Sequence, residues 1–266
     1  MRRFVKPMVV KRSWRYVCEI GASRGASTDS LLALPDVSIT VIDPCLDLDL
    51  EAKYAGEPRA TICKANSLVA LPTLGQAYDC ILIDGDHNWY TVYNELRTIS
   101  ERLLLQRGGI IFLHDVGWPY GRRDMYYQPH TIPSEYRHGY ARRGIVWGQN
   151  KLSDDAGINV GLCNATHEGG RRNGVLTGIE DFLREHENEY QFFRVREQFG
   201  LGVLHYRKNL ADDLGFLTFE GLTWAESSAR EWFTRARSSA RQRFPSVCLL
   251  AKSALSSVAG AKKRRG

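Results

Sequence analysis

A chain of 266 residues with 43% hydrophobic and 25% charged positions holds enough apolar material for one large globular domain, which excludes a disordered or fibrous class. The formal net charge of +6 sits at the ends: Arg2, Arg3, Lys6, Lys11, Arg12 and Arg15 precede any acidic residue, Lys262, Lys263, Arg264 and Arg265 close the chain, and removing those six and four leaves the body at about −4. A body of that sign has no continuous cationic face, so no nucleic-acid partner is expected, and only the termini suit weak contact with acidic surfaces.

The six cysteines show neither C-x-x-C spacing nor a disulfide-scaffold pattern, which points to free thiols and a cytoplasmic location. No uncharged apolar run reaches membrane-spanning length. The apolar stretch 247–261 is broken by Lys252, leaving a terminal helix that packs on the body or touches a membrane surface through its basic tail.

In chain order, residues 1–14 form a basic segment and strands alternate with helices from there on, as in an α/β domain with a mostly parallel sheet. The first strand, 15–20, runs into Glu19, Gly21 and Gly25, and Ser27 and Thr28 cap a helix to residue 33. Strands at 37–42 and 59–64 end at Asp43 and at Asn66-Ser67, and one at 78–83 ends at Asp84-Gly-Asp-His87. Tyr90, Tyr93, Leu96, Ile99 and Leu103 then mark an amphipathic helix broken by Gly108-Gly109. A fifth strand, 110–113, ends at His114-Asp115.

Residues 117–172 carry no sustained period and suit a lid or acceptor-binding insertion. A helix at 175–187 and two strands, 191–196 and 202–206, complete a domain of residues 15–207. Residues 208–266 suit a helical extension anchored by Phe216, Leu217, Leu222 and Trp224.

Every polar cluster falls at the carboxyl end of a strand, where open parallel sheets bind ligands. Glycines in the order Glu-x-Gly-x-x-x-Gly let backbone approach a ligand at a helix N-terminus, although many α/β proteins carry such a turn for structural reasons alone. Asp43, roughly 20 residues later, has the spacing of a ribose-binding carboxylate. Asn66 and Ser67 could meet an adenine edge or form an ordinary loop.

Together, Glu-Ile-Gly-Ala-Ser-Arg-Gly-Ala-Ser-Thr, Val-Ile-Asp-Pro, Ile-Leu-Ile-Asp-Gly-Asp-His and Gly-Gly-Ile-Ile-Phe-Leu-His-Asp resemble the class I S-adenosylmethionine-dependent methyltransferases. The similarity is to the family-24-like group of sugar, macrolide and catechol O-methyltransferases, over 15–116 and again 173–207. It implies a doubly wound, Rossmann-like sheet of seven mostly parallel strands with the last antiparallel. It further implies that Glu19, Gly21, Ser23 and Gly25 line the methionine and ribose of S-adenosylmethionine and that Asp43 binds the ribose diol, with Asn66, Ser67 and Asp84 completing the cofactor site.

In metal-dependent relatives, carboxylates after strands four and five bind Mg2+, which maps here to Asp84 and Asp115. The neighbour that is often a second acid or amide is Val116, with Asp86 as a substitute ligand or, alternatively, a helix N-cap. Without metal, His87 or His114 would act as general base, oriented by Asp84 and Asp115. Trp118, Tyr120 and Arg122, just after Asp115, suit a small polar acceptor such as a sugar, or a flap packed on the core. The expected reaction is O-methylation. The rivals are N-methylation, a non-catalytic module docking through its basic tails, and a dehydrogenase binding a nicotinamide dinucleotide, which the missing Gly-x-Gly-x-x-Gly disfavours.

Overall fold

The computed structural model describes residues 2–45, 48–195 and 199–207, so the proposed extension with Phe216, Leu217, Leu222 and Trp224 lies outside the described residues. Residues 2–14 are not merely a charged tail. Helix α1 (Arg2–Arg12) places Phe4, Val5, Met8 and Val9 on one stripe, and all four are buried.

Strand β1 (Tyr16–Ile20) is followed by α2 (Ala26–Leu32), β2 (Ser38–Ile42), α3 (Leu50–Tyr54), β3 (Ala60–Cys63) and the short α4 (Ser67–Ala70). Next come β4 (Tyr78–Ile83), α5 (Trp89–Glu101) and β5 (Leu105–His114). The insertion contributes β6 (Met125–Tyr126), β7 (Tyr140–Ala141) and β8 (Cys163–Ala165), and α6 (Val175–Glu185), β9 (Tyr190–Val195) and β10 (Leu201–Tyr206) close the domain. The main sheet has seven strands in the order β3-β2-β1-β4-β5-β10-β9. The first five are mutually parallel, and β10 runs antiparallel to both its neighbours.

In β1, β2 and β4 nearly every residue is buried, without the alternation of a half-exposed sheet. That is the signature of parallel strands covered on both faces, and it fixes the ligand-binding edge at their carboxyl ends.

Two boundaries differ from the sequence expectation. Helix α5 stops at Glu101, because Leu103 takes a left-handed φ of 53°. Gly108 and Gly109 therefore end no helix; they lie inside β5, beside an irregularity in its pairing with β4.

Residues 117–172 are also more ordered than their lack of period suggests. β6, β8 and β7 form a small antiparallel sheet, tied to the main domain by Met125 N–H donating to the His87 carbonyl at 2.9 Å. Its interior contains a polar network among apolar residues such as Met125, Tyr126 and Ile145. Arg123 is wholly buried and donates to the carbonyls of Ala165 and Asn150, while buried Asp124 accepts from Trp89 N (2.7 Å), Gly174 N (2.6 Å) and the Tyr126 hydroxyl (2.8 Å). Buried polar groups bonded this extensively fix a structure, yet leave no hydrophobic period to read.

Candidate active site

The loop after β1 is shaped by what lies against it. Gly21 has φ +82°, its N–H donates to the Ile42 carbonyl at 2.9 Å, and a Cβ there would collide with the carbonyl of Asp84 and the Cα of Gly85. Asp43 is buried and accepts three backbone bonds: Oδ2 from Ala22 N at 2.8 Å and Ser23 N at 2.9 Å, and Oδ1 from Cys45 N at 2.6 Å. The carboxylate after β2 thereby sets the loop after β1, with Ser23 held at φ +50°.

The helix cap is a correction to the sequence expectation. Gly25, left-handed at φ 78°, is the N-cap of α2, so the helix starts before Ser27 and Thr28 can cap it. Thr28 instead donates its hydroxyl to Glu19 Oε2 at 2.5 Å. Glu19 is 1% exposed; burial pushes its carboxyl up to about 7, Thr28 pulls it down, and the charges of Asp84 and Asp43 push it up. Glu19, Asp43 and Asp84 therefore lie close together at the carboxyl ends of β1, β2 and β4. Asn66 caps α4 by backbone only, its side chain making no cap bond, and Ser67 opens that helix near the buried Glu95 of α5.

Across the Gly21 contact stand two acids and two histidines. Asp84 follows β4, His114 ends β5, and Asp115 follows it with φ +57°. His114 Nδ1 bridges Asp84 Oδ1 (3.1 Å) and Asp115 Oδ2 (2.8 Å), and His87 Nε2 meets the same Asp115 oxygen at 2.7 Å. His87 lies 3.9 Å from Asp84 Oδ1 and turns ring edges to Tyr120 and Tyr127.

Burial opposes protonation of both imidazoles. The Asp115 and Asp84 carboxylates outweigh it, raising His87 and pushing His114 up to about 10. Burial would likewise raise the Asp115 carboxyl, but the charge of His87 and the hydrogen bonds of both histidines hold it well below the usual range.

Asp86 stands apart. Its oxygens accept from the backbone N–H of His87, the Asn88 side-chain amide and the Thr91 hydroxyl, while Asn88 is the N-cap of α5. Among the described residues, Asp84, His87 and Asp115 are the group whose donor atoms, within 4.8 Å of one another, could hold a metal.

Of the three expected acceptor residues, Tyr120 is buried against His87, its hydroxyl donating to Asn164 Oδ1 and accepting from Asn159 Nδ2. Trp118 is half-buried, edge-on to Trp147, which is 73% exposed. Arg122 is elsewhere, forked onto Glu180 at 2.6 Å through both terminal nitrogens. Tyr127 against His87 and Trp147 against Trp118 also belong to the surroundings of the site; both lie in the aromatic loop after Asp115, where nothing in their spacing separates them from other loop residues.

Residues 18–116 match a family described as a methyltransferase domain. Comparison with curated proteins returned no match. Among solved structures, a Podospora anserina methyltransferase with S-adenosylhomocysteine bound is similar at 15% identity and TM-score 0.50, over 77% of each chain. A Streptomyces achromogenes O-methyltransferase of tomaymycin synthesis, in complex with its cofactor, has 12% identity and TM-score 0.44 over 78% of this chain and 79% of that one. A Burkholderia thailandensis N1-methyltransferase has 15% identity and TM-score 0.44 over 78% and 79%. At these identities the likeness to the Podospora structure shows the fold. No helix among the described residues is long and apolar enough to cross a membrane.

Proposed function

We propose that this chain, whose residues 18–116 match a methyltransferase domain, is a class I S-adenosylmethionine-dependent methyltransferase that methylates a hydroxyl oxygen of a small polar acceptor with His114 as proton acceptor. The observation that carries this is the contact of Gly21 with Asp84, which sets the glycine loop beside the His–Asp cluster. Glu19, Gly21, Ser23, Gly25 and Asp43 would hold the cofactor's amino-acid and ribose portions, and Asn66 and Ser67 lie beyond them at the end of β3. A side chain at Gly21 would collide with Asp84 and Gly85, and one at Gly25 with Tyr54 and Lys53, so both glycines are needed for the loop to pack in this shape. When bound, S-adenosylmethionine supplies an electrophilic methyl group on positively charged sulfur.

The chain's own residues then have two tasks, alignment and proton removal. His114 suits the second. Its Nδ1 is fixed by Asp84 and Asp115, which directs Nε2, bonded to no protein group among the described residues, to receive the acceptor's proton. His87, with Nε2 on Asp115 and its ring between Tyr120 and Tyr127, buttresses Asp115 and closes the cleft floor. Trp118 and Trp147 offer ring faces and edges to an acceptor at the rim.

Mg2+ fits this cluster poorly. It requires near-octahedral oxygen ligation, whereas the candidate set is two oxygens and one imidazole nitrogen, Asp86 is engaged at α5, and both histidines already meet Asp115 Oδ2. An assay of labelled methyl transfer to a metabolite extract tests both points. Transfer persisting in EDTA and falling about 10²–10⁴-fold in His114→Ala supports the proposal. EDTA inhibition reversed by Mg2+, or a fully active His114→Ala, refutes it.

A further inference from the structure

A groove of about 710 Å3 opens between α5, α6 and the end of the insertion, and none of its lining residues belongs to the glycine loop or the His–Asp cluster. Its aromatic wall is a stack. Trp89 and Tyr93, one turn apart on α5, lie face to face at 4.9 Å, and Tyr136 lies 5.8 Å from Trp89 and 5.0 Å from Tyr90. The Arg172 guanidinium lies over both Trp89 (5.0 Å) and Tyr136 (5.1 Å).

The acids of the groove are already engaged. Glu180 holds Arg122, Asp181 accepts from the Trp89 indole N–H at 2.8 Å and from Arg184 at 2.7 Å, and Glu185 accepts from the Tyr93 hydroxyl at 2.7 Å. Among the described residues, neither Arg171 nor Arg172 has a carboxylate in ion-pair reach, and Arg97 has only Glu101 at 3.6 Å. The groove is left with surplus guanidinium.

Arg172 is also fixed in place, its backbone left-handed at φ 54° and its carbonyl accepting from His138 Nε2 at 2.8 Å. A guanidinium held over two rings leaves N–H groups free as a preset donor set for an oxyanion, at lower entropic cost than a free arginine. Aromatic side chains beside that donor set suit a ring, and the volume accommodates a ligand of nucleotide size.

We infer that this groove binds a phosphate ester carried on a ring, a sugar phosphate or a nucleotide, through Arg171 and Arg172, at a site separate from the methyl-transfer cleft. The site stands independently of the cleft's chemistry.

Calorimetry on the full chain tests it with uridine diphosphate and glucose 1-phosphate, against uridine, glucose and inorganic phosphate. At least one ester binds about tenfold or more tighter than every control, and which of the two does so identifies the source of the phosphate. Arg172→Lys, which keeps the charge and loses the guanidinium donor set, and Arg171→Glu, on an exposed side chain, each weaken that ester about tenfold or more. Should Arg172→Lys fail to fold, Arg171→Glu decides. Saturating S-adenosylhomocysteine leaves ester binding unchanged. Esters no tighter than the controls, binding that survives the arginine substitutions, or ester binding displaced by S-adenosylhomocysteine each overturn the inference.

Discussion

Gly21 lies against the carbonyl of Asp84 with no room for a methyl group between them. The register explains why: Ile20 of β1 pairs with Ile83 of β4, so the next residue on each strand emerges beside the other at the sheet edge. A loop suited to a cofactor and an acid suited to chemistry are thus neighbours by strand pairing, although more than sixty residues separate them in sequence.

Gly21→Ala is expected to cost about 2 kcal/mol or more in stability, because it adds a side chain at φ +82° as well as a backbone collision. Thermal unfolding with and without S-adenosylhomocysteine checks it, and the ligand-induced rise in Tm should vanish with the substitution. An unchanged Tm in the variant contradicts the contact.

Asp43→Asn is expected to weaken S-adenosylhomocysteine about tenfold or more, because an amide carries a single acceptor oxygen where three backbone N–H groups now need two. Calorimetry reads this directly. Equal affinity in wild type and variant would mean that the loop holds its shape without this carboxylate.

His114 makes a pH prediction. Its pKa is raised from the model-peptide value of 6.5 to about 10, so its clamp on Asp84 and Asp115 is complete below the lower value and is lost as pH rises through about 10. The rate of methyl transfer moves oppositely, climbing across that window as the neutral base becomes populated. Asp115, with a lowered pKa, contributes stability above the usual carboxylate range and loses it only in strong acid. A rate profile flat from pH 7 to 10, or identical in His114→Gln, rules out the base.

Glu95 reports on the interior. It is fully buried, neither oxygen has a hydrogen-bond partner of normal geometry, and burial pushes its carboxyl from 4.5 up to about 8, with Ser67 pulling the other way. The folded state therefore holds the proton more tightly, and stability falls as pH rises from about 4.5 to 8. Glu95→Gln should remove a penalty of about 2–4 kcal/mol at pH 8.5 and change little near pH 4.5. Urea unfolding at both values decides it, and an equal effect at each disproves the buried charge.

Asp124→Ala is expected to destabilise by about 3 kcal/mol, since it leaves the buried N–H groups of Trp89 and Gly174 without their acceptor. Hydrogen exchange should show residues 117–172 losing protection before the main sheet. Uniform loss across the chain would mean that the insertion is not an independently anchored unit.

The strands and the cleft were legible because parallel strands write near-continuous apolar runs and their polar residues collect at the carboxyl ends. Glu19, Asp43, Asp84, His114 and Asp115 all stand at such ends, which is why their convergence could be read. The insertion was not legible, because Arg123, Asp124 and Asn164 are buried among its scattered apolar residues, which follow no hydrophobic period. Arg122 was placed by sequence proximity to Asp115, but the chain turns after Tyr120 and sends it to Glu180. The basic residues of 2–14 hid an amphipathic stripe, Phe4, Val5, Met8 and Val9, that is too short to stand out from its charges.

The most direct measurement is calorimetry of the full chain with S-adenosylhomocysteine and, separately, with a nicotinamide dinucleotide. Micromolar binding of the first, abolished by Asp43→Ala, and no heat from the second is the result expected of this cleft. Tight nicotinamide binding, or no S-adenosylhomocysteine binding at all, would contradict it.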